Sequence, residues 1–358
     1  MALKTAGSRI CVFTAVDWSS DVEIPRPIGS SPPADSAAHL SGDNPMRTVR
    51  LSSLAECVVD APPAAVLDAP SMMSPNERRF LYGVAAKIYT GRGAIVDAGA
   101  FLGASTMSLG MGLRDNPDCA AILAQRPRPI VTYEQAIVRP NLVRTFNKHG
   151  IDLPVKSSFE DVLREKIAPV EDMVELKIGD ILFETWDAGP IEIIFLDILK
   201  TRAIQSHVYR EFFPSLKVGS IVIQQDYFMD GAVHIKIIQE YMTEYFDYLG
   251  EIHSMAVFSL KKEIPEALLS LDTHSLPVDE QMALLDRAKE RTVDIDRKYM
   301  IELCKIRALS AFGRGDQASA VWQGASAAYP EQVANTGRRM KKAYDKTMTA
   351  LAKATAAA

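Results

Sequence analysis

A glycine-containing turn in the first third of the sequence brings together residues whose types and spacing could do chemistry. Ala94 to Val96 is predicted to be a strand, Asp97 follows it, and Gly99-Ala100-Phe101-Leu102-Gly103 leads into a helix that starts near Ser105. Glycine permits positive φ and lets a ligand approach the backbone, while the N–H groups of a helix start favour an anionic group. The segment therefore predicts a site for a nucleotide-like cofactor. Its predicted binding residues are Asp97, Gly99, Ala100, Phe101, Gly103, Ser105 and Thr106.

The same turn departs from the fingerprint of dinucleotide-binding proteins. That fingerprint, GxGxxG, needs a second glycine so that the backbone can approach a pyrophosphate, and Phe101 stands at that position. A nicotinamide-dependent oxidoreductase is therefore the weaker enzyme alternative. A tight connection between strand and helix, without any ligand, is the structural alternative.

Three acidic residues follow later predicted strands. Glu134 comes directly after the strand 130–133, and its carboxylate could accept hydrogen bonds from two ribose hydroxyls. Asp180 follows the strand 173–176, where it could meet an adenine amino group or cap the next helix. Asp197 ends the fourth strand. We expect these side chains at one edge of a parallel sheet, because the strands point the same way.

This set, in this order and spacing, resembles the class I S-adenosylmethionine (SAM)-dependent methyltransferases. Their glycine turn, ribose-binding acid, adenine-side Asp and acidic fourth-strand end match Asp97 to Gly103, Glu134, Asp180 and Asp197. The resemblance covers residues 75 to 262 and implies a Rossmann-like fold with SAM as cofactor, bound in part by Asp197. Within this superfamily the sequence is similar to small-molecule or sugar O-methyltransferases, and this resemblance implies a hydroxyl group as the methyl acceptor.

The segment Asp197-Ile198-Leu199-Lys200 also resembles the DxxK motif of catechol-type O-methyltransferases. In those enzymes the Asp binds magnesium and the Lys removes the hydroxyl proton, and further oxygen ligands follow the fifth strand. The matching positions here are Gln225 and Asp226. Gln225 departs from the motif because a neutral amide contributes less charge than a carboxylate. The resemblance implies a Mg²⁺ site at Asp197, Gln225 and Asp226, with a metal-free site as the alternative.

A hydroxyl acceptor requires a group that removes its proton. Lys200 could do so if burial or neighbouring cations lowered its pKa, whereas a solvated or ion-paired lysine could not. His234 follows the loop that begins at Asp226, and His207 lies on a predicted helix; either imidazole could simply be packed or exposed. The predicted catalytic residues are Lys200, His234 and Asp197.

Alternation of short β-branched runs with helical spacing predicts the fold that positions these residues. Strands separated by helices pair in parallel, since a crossover returns the chain in the same direction. The last two runs are separated only by a short turn, which predicts an antiparallel closing hairpin. We therefore expect a doubly wound, mostly parallel α/β sheet. Its predicted strands are 94–96, 130–133, 173–176, 191–196, 220–223, 246–251 and 255–260.

The two ends of the chain have different compositions. Residues 1–62 are rich in Pro, Ser, Ala and Asp and are predicted to be an extended or partly disordered arm. Ser74-Pro75-Asn76-Glu77 predicts the start of a helix over 75–89, within a methyltransferase domain at 63–262. Residues 263–358 carry helical periodicity and are predicted to be a helical extension, with one helix pair of tetratricopeptide type rather than a repeat array.

Composition limits the partners. The chain has 358 residues, of which 47% are hydrophobic, yet no apolar run reaches the ~18 to 20 residues of a membrane span. The net charge of −5 favours neither nucleic acid nor an anionic membrane, and the cationic residues after 337 are predicted to be a solvated helix face. Four scattered cysteines suit free thiols in a reducing cytoplasm.

The expected partner is a small-molecule acceptor, and apolar helices in the extension also predict a homodimer. A non-enzymatic alternative stays open. In that alternative, a methyltransferase-like core has lost catalysis and the helical extension recruits other proteins.

Overall fold

The computed structural model describes residues 54–335 and 337–356, without the side chains of residues 338 and 339. One seven-stranded sheet organises this part of the chain, in the order β3-β2-β1-β4-β5-β7-β6. Strands β1 to β5 run parallel, and β7 pairs antiparallel with both β5 and β6. The strands are β1 (Ala94–Ala98), β2 (Ile130–Glu134), β3 (Val174–Ile178), β4 (Ile191–Leu196), β5 (Leu216–Gln224), β6 (Phe246–Ile252) and β7 (Met255–Leu260).

Helices cover both faces of the sheet, so its central strands are buried. All five residues of β1 are buried, as expected for a strand enclosed on both sides. Ile95 faces one hydrophobic core and Val96 the other, because successive side chains of a strand point to opposite faces. The α-helices up to the closing hairpin are α1 (Ala64–Asp68), α2 (Pro75–Gly83), α3 (Ala104–Arg114), α4 (Cys119–Gln125), α5 (Val143–Lys148), α6 (Glu160–Ile167), α7 (Arg202–Glu211) and α8 (Val233–Tyr241).

The predicted doubly wound sheet with an antiparallel closing hairpin and C-terminal helices is confirmed. One strand is longer than predicted. β5 begins at Leu216, four residues before the predicted start, and its pairing with β4 shifts register between Ile191 and Ile193. Lys217, which is exposed, and Gly219, which has a positive φ, interrupt the apolar pattern there. The pattern therefore does not indicate where the strand begins.

The predicted capping sequence starts α2. Ser74 Oγ accepts a hydrogen bond from Glu77 N (3.3 Å), and Glu77 Oε2 accepts one from Ser74 N (2.6 Å), so both halves of a capping box are present. The helix continues as a π-helical turn over Val84–Ile88, close to the predicted end. Residues 1–53 of the predicted arm lie outside the described residues; Leu54–Cys57 form a short 3₁₀ helix and pack into the core beneath α2.

The C-terminal helices pack on the sheet domain and on each other. Leu284, Leu285 and Ile301 belong to the same hydrophobic core as one face of the sheet, chiefly through α8. A smaller core joins α11, α12 and α14 around Leu303 and Ile306. Among the described helices, none is long and apolar enough to cross a membrane. These helices are α9 (Glu266–Leu269), α10 (Val278–Arg291), α11 (Ile295–Ala311), α12 (Gly315–Ala328), α13 (Pro330–Ala334) and α14 (Arg338–Ala356).

Candidate functional site

The candidate site lies at the carboxyl ends of β1 and β4, where the strand order reverses. Such a switch point is where open α/β sheets bind ligands. Gly99, just after β1, has φ +100°, and its N–H donates to the Tyr133 carbonyl (2.9 Å). A Cβ atom at Gly99 would lie 2.9 Å from the carbonyl oxygen of Asp197. The turn is therefore held between the ends of β2 and β4 in a conformation that only glycine adopts without strain.

Asp97 lies beneath this turn and has no solvent exposure. Its Oδ2 accepts hydrogen bonds from Ser105 Oγ (3.1 Å) and Thr106 Oγ1 (2.6 Å). Burial raises the pKa of Asp97 to about 6, although these two hydrogen bonds act in the opposite direction. In the described part of the chain Oδ1 has no partner. A buried acceptor without a donor is costly, so Asp97 is suited to a donor group of a bound ligand.

Glu134 faces the same turn from the end of β2. Its Oε2 accepts a hydrogen bond from Phe101 N (2.7 Å), and Oε1 accepts one from Ala136 N (3.1 Å). Phe101 has φ +52°, and its ring packs edge-on against Phe146 and Phe159. The aromatic residue at the second glycine position is thus an anchor of the turn. A carboxylate accepts up to about four hydrogen bonds, so Glu134 retains capacity for ligand hydroxyls.

Asp180 lies at the third strand end and acts as a cap. Its Oδ1 accepts a hydrogen bond from Leu182 N (3.1 Å) at the start of the 3₁₀ helix Ile181–Phe183. This is the capping role that the sequence left open beside adenine binding. The adenine contact stays a prediction.

A segment that sequence analysis missed covers the glycine turn. Pro70–Met73 lines a cleft together with Gly99 to Phe101, Ala104, Ser105 and Asp197. The cleft measures about 20 Å³, which is room for about one water molecule. Entry of a cofactor therefore requires Pro70–Met73 to move outward. No local sequence pattern indicates this contact, because about 25 residues separate the segment from the turn.

Lys200 connects the ends of β4 and β5. Its Nζ donates to Asp197 Oδ1 (2.6 Å) and to Asp226 Oδ2, while half of its side chain stays exposed. Burial alone would lower the pKa of Lys200, but the charges of the two carboxylates outweigh it and raise the pKa above its usual value. The lysine is therefore a cation held at the site. Its predicted role as a base would require a neutral amine, which this environment disfavours.

Gln225 has its hydrogen-bond partners outside this ion pair. Its Nε2 donates to Glu77 Oε1 (3.0 Å) and Ser254 Oγ (3.3 Å), and the side chain is buried. The two carboxylates of the predicted metal site bind Lys200, and the amide oxygen of Gln225 has no partner among the described residues. No group of three His, Cys, Asp or Glu residues suited to a metal occurs in the described residues. The donors as arranged do not fit Mg²⁺, which prefers near-octahedral oxygen ligands.

Both histidines named by the sequence contact backbone carbonyls. His234 Nε2 lies 2.9 Å from Leu199 O, and His207 Nε2 lies 2.8 Å from Glu184 O. Burial lowers the pKa of His234, which keeps it neutral. His234 therefore fixes the loop that carries Lys200, and its catalytic role stays a prediction.

Glu77 is the central residue that sequence analysis noted only as a helix cap. It is 1% exposed, yet its Oε1 accepts hydrogen bonds from Ser254 N (3.0 Å), Ser254 Oγ (2.6 Å) and Gln225 Nε2 (3.0 Å). His253 Nδ1 lies 3.4 Å away. Burial alone would raise the pKa of Glu77, but bonds from His253, Ser254 and Ser74 outweigh it and lower the pKa to about 2. An ionised carboxylate thus joins α2, β5 and the β6–β7 turn.

Glu77→Gln is expected to destabilise the protein in a pH-dependent way. Because the folded pKa lies below the usual 4.5, Glu77 contributes stability above pH 4.5 that is lost as the pH falls toward 2. The linked contribution is roughly 3 kcal/mol at neutral pH. Urea unfolding from pH 7 to pH 3 measures it: the variant should show a smaller decline than the wild type. Glu280→Gln, at an exposed site of α10, is the control, and equal declines in all three proteins contradict the assignment.

Comparison with solved structures finds several methyltransferases to which this chain is similar over part of its length. The O-methyltransferase NovP aligns over 55% of this chain and 84% of its own, at 13% identity and a TM-score of 0.42. A protein of Klebsiella pneumoniae assigned as an O-methyltransferase aligns over 62% of this chain and 93% of its own, at 15% identity and a TM-score of 0.36. A methyltransferase of Geobacter sulfurreducens aligns over 58% of this chain and 92% of its own, at 16% identity and a TM-score of 0.34. No protein-family model and no curated protein matches the sequence.

The chain has the class I methyltransferase fold. This assignment follows from its own features, which are the strand order, the antiparallel closing hairpin and the glycine turn at the switch point. The sequence identities with these solved structures are too low to indicate which substrate this protein uses.

Proposed function

We propose that this chain transfers a methyl group from SAM to a hydroxyl group of a small molecule or sugar. The observation that carries the proposal is the glycine turn at the switch point, where Glu134 accepts a hydrogen bond from Phe101 N and the buried Asp97 has an acceptor oxygen without a partner among the described residues. This set of acceptors fits SAM, whose ribose hydroxyls and ammonium group are hydrogen-bond donors. The absence of a second glycine argues against a dinucleotide.

Each residue of the site has a role in this proposal. When bound, SAM supplies an electrophilic methyl group on a sulfonium. Glu134 binds the ribose, Asp97 receives an ammonium donor, and the Pro70–Met73 segment returns over the cofactor to exclude water. Lys200, kept protonated between Asp197 and Asp226, attracts the acceptor oxygen as a fixed cation. Because the arrangement of these residues does not fit Mg²⁺, the proposed methyl transfer includes no metal ion. A cytoplasmic location and a homodimer remain predictions of the sequence.

Thermal unfolding with added ligands tests the cofactor. SAM and S-adenosylhomocysteine should raise the melting temperature and NAD should not, because a ligand that binds the native state stabilises it. Glu134→Gln should weaken SAM binding by roughly 10- to 100-fold, since one charged acceptor is lost. Glu160→Gln, at the partly exposed start of α6, should bind SAM as the wild type does. Stabilisation by NAD alone favours an oxidoreductase, and no shift with any of the three ligands contradicts the proposal.

A further inference from the structure

A cavity of about 360 Å³ lies where the sheet meets the helical extension. We name it the junction cavity. Phe228 from the loop after β5 and His253 from the β6–β7 turn form its wall on the sheet side. Asp294, Asp296 and Met300, at the start of α11, form the opposite wall. Its volume is sufficient for a ring-sized ligand.

The junction cavity borders the edge of the sheet that carries the candidate site. β7 runs antiparallel to β5 with Ala256 opposite Gln224, so the turn before β7 lies at the carboxyl end of β5. Glu77 bonds both to Gln225, which follows β5 directly, and to Ser254 in that turn. The negative charge of Glu77 also reaches the carboxylate of Asp197. The turn that carries His253 therefore lies at the same edge of the sheet as the cofactor cleft, and Glu77 bonds to residues of both β5's end and this turn.

His253 is presented to this cavity by its own backbone and by Glu77. Its φ of +52° is uncommon for a residue other than glycine. Its Nδ1 lies 3.4 Å from Glu77 Oε1 and 3.3 Å from Ser254 Oγ, while half of the side chain is exposed. With Nδ1 directed at these partners, Nε2 is the ring nitrogen that a ligand in the cavity can reach. A neutral imidazole with its Nδ1 proton toward a carboxylate has the orientation of a general base.

The charges of the cavity indicate the class of ligand. Asp294 and Asp296 contribute two carboxylates. The guanidinium of Arg297 is engaged by Glu251 Oε1 (3.2 Å) and by the carbonyl of His253 (2.5 Å). Among the lining residues whose side chains the structure describes, the walls therefore offer hydrogen-bond acceptors and net negative charge, which suits hydroxyl and ammonium groups and disfavours anions.

The apolar part of the cavity suits one face of a ring. Phe228 and Met300 contribute this surface, and the carboxylates lie among them. A sugar ring has C–H groups on its faces and hydroxyl groups at its rim, so it matches this mixture of surfaces. A flat hydrocarbon would add no donor to those that the carboxylates already have, Arg297 N for Asp294 and Gln332 Nε2 for Asp296, and would cover their remaining acceptor sites, which is unfavourable.

We propose that the junction cavity binds the methyl acceptor, a neutral or amino sugar, and that His253 accepts the proton of its hydroxyl group. This inference rests on the proposed methyl transfer. The acceptor oxygen forms the new bond to the methyl carbon, the electron pair of the broken C–S bond stays on sulfur, and the proton passes to His253 Nε2. Glu77 is a positioning residue, because its Oε1 lies 3.4 Å from His253 Nδ1 and orients the imidazole ring.

Ligand binding to the full chain, loaded with S-adenosylhomocysteine, tests the cavity. The probes are methyl glucosaminide, methyl glucoside and the anionic methyl glucuronide, followed by saturation-transfer NMR. We expect the first two to bind and the anion not to bind. Asp296→Asn keeps an oxygen for Gln332 Nε2, which it contacts at 3.0 Å, but loses a charge, and it should weaken glucosaminide binding at least about tenfold. Asp279→Asn, at an exposed site of α10, should change nothing.

Methylation of the bound probe tests His253. His253→Gln should lower kcat by about 10²- to 10⁴-fold, the usual contribution of a general base, and leave probe and SAM binding unchanged. Glu77→Gln should lower kcat, expressed per molecule that binds S-adenosylhomocysteine, with KM unchanged; this normalisation is needed because a loss of folded protein alone would also lower the apparent kcat without changing KM.

The outcomes separate the two proposals. A chain that binds SAM but neither neutral nor amino sugar overturns the junction cavity and leaves methyl transfer intact. A chain that binds no SAM overturns the proposed function itself. Wild-type kcat in His253→Gln overturns the base assignment.

Discussion

Gly99→Val abolishes SAM binding, with an expected rise in Kd of at least about 100-fold, equivalent to about 2.7 kcal/mol. Gly99 has φ +100°, a conformation that a β-branched residue adopts only with strain. The added Cβ would also lie 2.9 Å from the carbonyl oxygen of Asp197 and 3.0 Å from its carbonyl carbon. Relief of this clash separates the turn from β4 and moves the N–H groups that face the cofactor. Isothermal titration with SAM measures the loss.

Gly150→Val is the matched control for this substitution. Gly150 has φ +72°, but nothing lies within 4 Å of a Cβ added there, and it is distant in sequence from the turn. The control carries the backbone strain and leaves the site untouched, so it should bind SAM with the wild-type affinity. If Gly99→Val also binds SAM normally, the turn is only a connection between strand and helix.

Lys200→Met is expected to create a divalent-cation site at Asp197 and Asp226. In the wild type, the ammonium group lies between Asp197 and Asp226. Its removal leaves two neighbouring carboxylates without a counter-ion, which is unfavourable unless a cation replaces it. Mn²⁺, followed by the EPR signal of the free ion, should bind the variant at least about tenfold more tightly than the wild type. This measurement requires no acceptor.

Lys217→Met, which removes an exposed lysine of β5, controls for loss of positive charge and should not bind Mn²⁺. If the wild type binds Mn²⁺ tightly and Asp226→Asn does not, the metal ion displaces the ammonium group of Lys200 from the two carboxylates. That result would restore the magnesium site implied by the DxxK motif.

The sequence predicted the sheet because the signals for it are local. Five β-branched runs, each followed by a polar residue, define parallel strands and the edge where Asp97, Glu134 and Asp197 meet. Hydrophobic periodicity covers a few residues at a time, and the strands need little else to be recognised. The glycine turn could be located for the same reason, since both its glycines and its helix start lie within ten residues.

The other half of the candidate site depends on distant contacts. Glu77 is 148 residues from Gln225 and 177 from Ser254, so nothing near it in the sequence indicates that it joins β5 to the β6–β7 turn. Lys200 has its second carboxylate 26 residues away, at the end of the next strand. The sequence showed a lysine near an aspartate and allowed a base; only the folded chain shows that two carboxylates hold the proton on it.

His253 was missed because a histidine in a short turn between two strands has no distinctive neighbours. Its orientation comes from a carboxylate on α2 and its cavity from the start of α11, both far away in the sequence. A signal that could have drawn attention to the turn is the hairpin itself. Antiparallel pairing of β7 with β5 necessarily brings residues 253 and 254 to the edge where the polar residues of β5 end.

Leu284, Leu285 and Ile301 place α10 and α11 within the same core as the sheet. These helices and the sheet are consequently one cooperative unit, and neither can lose its packing without exposing apolar surface of the other. Thermodynamic linkage follows from this arrangement. A molecule that binds at the start of α11 raises the free energy of unfolding of the strands that hold the glycine turn. Conversely, a cofactor bound at the glycine turn stabilises the helical extension.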